Sequence, residues 1–412
     1  MKNYYIIFLS IAILYITFPS VAQQGWTVYN STNSILSSTP YRAISIDQSG
    51  NIWVGGSYSG LFKFDGITWT EYNTINSNIL DEDINDILVD NSDKVWVANY
   101  KGISVFDGIT FTNYDTTNAE FGGKTVYTLG KDNSGKIWIS SRNGSFNYEG
   151  ITTFDGTTWT NITGYPSQIN GACFSDYAFT SNNDAWLACN NGLAKYNGTF
   201  TYYPPVTSLS VSHCVAVDAN ENIWAGGYHA LVKYDGSEWT KFDNVSDLGI
   251  AEGTLYNDMF PDGSILWIGC SSGFLKFNMN TGQVITNFNS TNSPLGDNCV
   301  SRIAKDADGY LWLSTNIGIV KMDPAIVGVE VLNSNNRYIL YGNPSDGIFN
   351  FLSDCKTKVK YGVYSLEGKL ISLGTNTTGI FQVNLTGAPG GLYFVHVVTE
   401  NSNNQTFKLI KY

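Results

Sequence analysis

Charge is scarce in this chain of 412 residues, and positive charge scarcest: 23 Lys and Arg stand against 35 Asp and Glu, a formal net charge of −12. A protein that follows a phosphate backbone needs a basic face, so nucleic acid is excluded as a partner class. The acidic balance suits an exposed, soluble surface. Histidine is nearly absent, at positions 213, 229 and 396 only, which leaves little for a zinc site or for the base of a serine hydrolase. HExxH, CxxC and phosphate-cradling glycine loops are all missing, so no cofactor or metal is expected. The six cysteines, at 173, 189, 214, 270, 299 and 355, fall five before residue 324 and one after it. Export would permit disulfides, but small buried core thiols are the expectation for most. Long apolar runs are lacking too, except at the start. Residues 1–22 read as a signal peptide, with Lys2, an apolar core from Ile6 to Phe18, and Ser20-Val21-Ala22 before Gln23. That stretch, broken by Ser10, Thr17 and Pro19, is short of the ~20 residues of a membrane span. Nothing later approaches such a length, and no span is expected after cleavage.

What the chain does have is aromatic side chains (14%) and glycine (41 residues), the makings of short strands joined by tight turns. A tryptophan in a short apolar run, preceded by an Asp/Gly/Asn turn, recurs along it. Asp47-Gln-Ser-Gly-Asn-Ile-Trp53, Asp90-Asn-Ser-Asp-Lys-Val-Trp96 and Asp132-Asn-Ser-Gly-Lys-Ile-Trp138 are the clearest copies, and others centre on Trp186, Trp224, Trp267 and Trp312. The intervals are 43, 42, 48, 38, 43 and 45 residues, the length of a four-stranded propeller blade. In the first repeat the strands are expected at Tyr41–Ile46, Ile52–Gly55, Leu61–Phe64 and Thr68–Tyr72, with Asp65-Gly66 as a hairpin turn. The seventh repeat stops at Asp323-Pro324 one strand short, and Trp26-Thr-Val-Tyr29 copies the fourth strands Trp69-Thr-Glu-Tyr72 and Trp239-Thr-Lys-Phe242. The fold expected is therefore all-β: a seven-bladed β-propeller over residues 23–324, closed by its N-terminal strand so that no sheet edge is left open.

These repeats resemble the two-component regulator propeller family, through Asp47-Gln-Ser-Gly-Asn-Ile-Trp-Val-Gly-Gly and Gly60-Leu-Phe-Lys-Phe-Asp65. Repeats four and six depart from it, with Thr180 and Pro261 in place of the usual Asp. The resemblance implies an extracellular propeller of the kind that senses ligands when joined to a membrane kinase.

A linker over 325–336 leads to residues 337–412, where seven strands with alternating patterns fit a small immunoglobulin-like β-sandwich. Asn343-Pro344, Val363-Tyr364-Ser-Leu-Glu-Gly368-Lys369, Gly391-Leu-Tyr393-Phe and Lys408-Leu-Ile-Lys411 resemble the C-terminal sorting domain of the type IX secretion system of Bacteroidetes. That resemblance makes Gly368, Gly391, Tyr393, Lys408 and Lys411 the sorting-signal residues and the secretion machinery a partner. It implies passage through the periplasm to the surface or the medium.

Catalytic patterns are thin. Gly269-Cys-Ser271-Ser-Gly273 has the form of a nucleophile elbow but fills the slot of a strand-to-strand loop, as Gly56-Ser-Tyr-Ser-Gly60 does. Asp306-Ala-Asp308-Gly309 lacks the further ligands of a calcium loop and occupies the blade-turn slot. No catalytic residue is assigned. The best candidate is a rim: the loops joining second to third strands emerge at one end of a propeller and carry Tyr58, Tyr100, Arg142, Asn143, Asn190, Asn191, Tyr228, His229, Ser271 and Asn316. Of these, Tyr58, Tyr100, Arg142, Asn143, Tyr228 and His229 suit stacking on sugars or grasping a peptide or protein. An alternative is a propeller enzyme acting on polysaccharide through Asp81, Glu82, Asp83 and Glu252.

Overall fold

The computed structural model describes residues 25–411 apart from 120–121, 144–146, 170–173, 190–191, 205–211, 229, 326–337, 342–344, 346, 354–358, 367, 377–379 and 400–403. The signal peptide, nearly all of the linker, Cys173, Cys355, Asn190, Asn191, His229 and Asn343-Pro344 thus lie outside the described residues. Every element among those described is a strand, and none is a helix.

The first sheet consists of Tyr41–Ile46, Ile52–Gly56, Leu61–Phe64 and Trp69–Tyr72 in chain order, all antiparallel. Consecutive strands build further four-stranded sheets starting at Ile84, Thr125, Phe174, Ser212 and Tyr256. One more takes Val300–Lys305, Leu311–Thr315 and Gly318–Met322 and completes itself with Trp26–Tyr29, Trp26 opposite Met322 and Tyr29 opposite Ile319. The first strand of each sheet touches the first strand of the next, and Val300–Lys305 touches Tyr41–Ile46. First strands are therefore innermost, around one axis. Aromatic packing carries the closure: Tyr29 stacks on Trp312 at 5.8 Å and meets Phe64 and Trp69 of the first sheet at 5.1 and 5.7 Å.

The repeated Asp–Trp spacing has a direct cause. Trp Nε1 donates to Asp Oδ2 in the pairs Trp53–Asp47, Trp96–Asp90, Trp138–Asp132, Trp224–Asp218 and Trp312–Asp306, at 2.8–3.1 Å. The other carboxylate oxygen accepts turn N–H groups, as Asp218 Oδ1 does from Asn220 and Asn222. Each carboxylate thus fixes a turn and satisfies the one polar atom of a buried indole. Lysine lies across the strand from five of the seven tryptophans, with Nζ 5.1–5.9 Å from the ring. One of the two departures noted in the sequence leaves a hydrogen bond unmade: with Pro261 in the Asp slot, buried Trp267 Nε1 has no partner. Asp218→Ala, which orphans the Trp224 indole and two turn amides, is expected to cost about 1–3 kcal/mol in urea unfolding. Asp308→Ala, on an exposed carboxylate in the turn before Trp312, should cost well under 1 kcal/mol.

Three of these turns hold a non-glycine residue in the left-handed region, Asp93, Asn183 and Glu221, where others use Gly50, Gly135 and Gly309. Each side chain reaches the preceding sheet's turn: Asp93 Oδ1 accepts from Gln48 N, Asn183 Oδ1 from Asn133 N, and Glu221 from Ser181 N. A bond between neighbouring sheets offsets the local strain.

Two further sheets lie in the tail. Tyr338–Tyr341, Ile348–Ser353 and Ile380–Asn384 form one; Leu370–Asn376, Val359–Ser365, Gly391–Thr399 and Asn404–Lys411 form the other. Phe349, Phe351, Phe381 and Val383 of the first share an apolar core with Val363, Val395, Val397 and Leu409 of the second. Among the described cysteines, Cys189, Cys214 and Cys270 are buried thiols and Cys299 is partly exposed.

Candidate functional site

Every first strand begins with the same irregularity. The register to the second strand slips by one, leaving Arg42, Asn85, Tyr127, Ser175, His213, Asn257 and Ser301 as extra residues in their strands. Bulges re-aim side chains and are common beside functional sites. Here they fall at the end of the ring that also carries the loops between second and third strands.

The bulged residues divide by sheet. Those of the second, fourth and sixth sheets hold the next sheet: Asn85 Nδ2 donates to Val126 O at 2.8 Å, Ser175 Oγ to Ser212 O at 3.2 Å and Asn257 Nδ2 to Val300 O at 2.9 Å. The aspartate that follows each completes the clamp, Asp86 Oδ2 accepting from Leu129 N, Asp176 Oδ2 from Val215 N and Asp258 Oδ2 from Ile303 N. Those of the first, third and fifth sheets support the rim instead. Tyr127 receives Arg142, whose guanidinium carbon lies 3.9 Å from the ring centre, and Tyr100 at 6.3 Å. His213 meets Tyr228 edge-on at 5.4 Å. Arg42 Nη1 lies 3.5 Å from Asp83 Oδ1, and Asp83 also hydrogen-bonds Tyr58.

Tyr58, Tyr100 and Tyr228 are 78, 37 and 38% exposed. Tyr58 also adopts φ 55°, unusual for an aromatic residue. Burial pushes the Asp83 carboxyl up against the pull of Arg42, and burial pushes the His213 imidazole down. Arg142 and Asn143, expected on a loop, lie instead in the strand Ile137–Asn143, whose hairpin with Asn147–Phe154 extends beyond its counterparts. There Ser141 pairs with Gly150, Arg142 with Tyr148 and Asn143 with Asn147. The side chain of Asn143 is outside the described residues. Sequence reasoning found the exposed tyrosines through their repeat slot but missed Arg42, Tyr127 and His213 beneath them. A polar or aromatic residue interrupting the alternation at the start of each first strand was the available signal.

Below this rim, Arg302 on the seventh sheet lies in the electrostatic field of Asp86, Asp176 and Asp258 from three other sheets, and its Nη1 donates to Asn257 O at 2.9 Å. Burial pushes the Asp176 and Asp258 carboxyls up, to about 7 and about 6, with Arg302 opposing the shift.

The acidic residues considered for catalysis are occupied separately. Asp81 pairs with Lys101 at 3.0 Å, Glu82 Oε1 accepts from Thr74 Oγ1 at 2.6 Å, Asp83 faces Arg42, and Glu252 is exposed. Ser271 Oγ accepts from Leu255 N, a loop-fixing bond. Asp306 is spent on Trp312 and the Tyr310 amide.

In the tail, Tyr393 and Lys411 reach one loop. Tyr393 Oη donates to Pro389 O at 2.7 Å, and the Lys411 ammonium, on a buried side chain, donates to Thr386 O and Ala388 O. Gly368, at φ 80°, makes the turn before Leu370–Asn376, while Lys408 is exposed opposite Phe394.

Residues 339–412 match the secretion system C-terminal sorting domain, and residues 294–316 match the two component regulator propeller. The tail is a sorting domain by its family match. The protein is accordingly a secreted or cell-surface protein. No curated protein matches the chain in sequence. Among solved structures, PorZ, a surface component of the type IX secretion system of Porphyromonas gingivalis, is 17% identical with a TM-score of 0.62 over 91% of this chain and 59% of its own. A B. thetaiotaomicron extracellular domain assigned to a hybrid two component system (BT3049) gives 15% and 0.62 over 94% of this chain and 57% of its own. Virginiamycin B lyase from Staphylococcus aureus gives 15% and 0.58 over 72% and 98%. At these identities the likeness is one of fold, and this chain spans under three fifths of the length of the first two.

Proposed function

We propose that this chain is an exported binding module: a seven-bladed β-propeller over residues 23–324 that takes an extracellular glycan, peptide or protein on one rim, and a β-sandwich over 337–412, immunoglobulin-like in form, that directs its export by the type IX system. On this reading residues 1–22 are the signal peptide and 325–336 the linker, and Gly368, Gly391, Tyr393, Lys408 and Lys411 shape the sorting signal. The observation that carries the binding role is the support beneath the rim. Tyr100 and Tyr228 each contact a bulged residue of an inner strand, and Tyr58 reaches Arg42 through Asp83. Aromatic faces held this way lose little freedom on binding, and Tyr100 shares Tyr127 with the Arg142 guanidinium, which can meet hydroxyls or carboxylates. The separate engagement of Asp81, Glu82 and Asp83 supports binding over acid–base catalysis, which needs paired carboxyls at one reacting centre.

A glycan and peptide array probed with the mature full-length chain tests this. Saturable binding is expected, reduced at least tenfold by the combined changes Tyr58→Ala, Tyr100→Ala and Tyr228→Ala. Binding that survives all three would remove the rim from the account.

A further inference from the structure

In the tail's four-stranded sheet Leu370–Asn376 lies at an edge. One face of the sheet covers the core with Val363, Val395, Val397 and Leu409. On the other, Gly362 stands in register between Leu373 and His396. Its missing side chain leaves a depression of about 440 Å³ whose walls include Lys360, Tyr364, Leu373, His396 and Val398. A Cβ on Gly362 would come within 2.9 Å of Tyr364 Oη, so the floor of this depression admits glycine alone without a shift.

The edge beside it is unusually apolar. Leu370, Ile371 and Leu373 are 45, 40 and 70% exposed, and Leu366 in the preceding turn is 62% exposed. Proteins ordinarily blunt an open edge with charge, proline or cover, because its unpaired N–H and C=O groups template another strand. This edge carries no charge and no proline within Leu370–Asn376, and among the described residues no strand pairs with its outer side. The strands of the sheet hold exposed Lys360 and Lys408 and no Asp or Glu, Lys411 being buried against the Thr386 and Ala388 carbonyls, against an overall charge of −12. The face is thus apolar and basic on an acidic protein.

We propose that the Leu370–Asn376 edge accepts an added β-strand from a component of the export machinery. The incoming segment is extended, acidic and apolar by turns. Its backbone pairs with the edge, an apolar side chain covers Leu373 and enters the depression over Gly362, and a carboxylate meets Lys360. This rests on the export reading of the tail and adds to it the surface used and the chemistry of the partner.

The test expresses the full chain in a bacterium that carries the exporter and measures the fraction outside the cell. Leu373→Lys places charge on the edge, and Lys360→Glu reverses the charge beside the depression; each is expected to lower export at least tenfold with accumulation in the periplasm. Lys360→Arg and Ile67→Lys, the latter on an 88% exposed apolar residue outside the tail, should export as the parent does. Thermal melting of purified Leu373→Lys and Lys360→Glu within a few degrees of the parent establishes that folding is intact. Normal export of both folded variants would overturn the proposal. A chain ending at residue 324 is the reference: were it exported normally, the export reading itself would fall, a separate result from the failure of the edge.

Discussion

Arg302→Met is expected to destabilise the protein by about 3–5 kcal/mol, measured by urea unfolding at pH 8. The methionine matches the length of the aliphatic stem but leaves Asp86, Asp176 and Asp258 without the cation that faces them. Asp86 is buried and Asp176, Asp258 and Arg302 are half-buried, so removing the cation leaves carboxylates with little water to compensate them, the case in which loss of one partner costs this much. The effect has a definite pH dependence. The Asp176 and Asp258 carboxyls are raised by burial to about 7 and about 6, above the ordinary unfolded value near 4. A raised carboxyl binds its proton more tightly in the folded state, so its contribution is greatest below the unfolded value and is lost as pH rises through the folded one. Wild-type stability should therefore decline between about pH 4 and pH 7. Arg302 opposes those shifts, so Arg302→Met should steepen the decline and shift it to higher pH. A variant whose deficit is the same at pH 5 and pH 8 would show that the three aspartates are not its electrostatic partners.

The second large effect belongs to the other end of the chain. Trp26→Ala is expected to cost about 3–5 kcal/mol, the loss typical of a buried tryptophan. Trp26 is 4% exposed, packs on Phe288 at 5.4 Å and shares a core with Leu313, Val320 and Met322. Those partners lie near the far end of the ring in sequence, so an N-terminal residue would behave as a core residue of the last sheet. An N-terminal strand that merely lay on the surface would cost under 1 kcal/mol when truncated. Urea unfolding of the single variant, followed by tryptophan fluorescence and circular dichroism together, distinguishes the two.

Much of this architecture was legible because its cause is local. An Asp six residues before a Trp marks five of the seven turns, since carboxylate and indole meet within one hairpin. The closing strand could be read from the likeness of Trp26-Thr-Val-Tyr29 to other fourth strands. The rim tyrosines followed from their repeat slots. The residues beneath the rim did not, because a bulge inserts one residue and breaks the period of two on which strand reading depends. Arg42, Tyr127 and His213 look like misplaced polar residues until the register slip is seen. The clamps made by Asn85-Asp86, Ser175-Asp176 and Asn257-Asp258 were hidden for another reason: their partners Val126, Ser212 and Val300 lie about one repeat further on. In the tail, Tyr393 and Lys411 looked like separate landmarks, and only the folded chain brings both to the carbonyls of residues 386–389.

The most direct test of the account is a crystal structure of the mature chain bound to the ligand that the arrays select. The account predicts that ligand at the end of the ring bearing the bulged residues, in contact with at least two of Tyr58, Tyr100 and Tyr228 and with Arg142. A ligand seated at the opposite end, among the turns of Asp47–Gly50 and Asp65-Gly66, would contradict it.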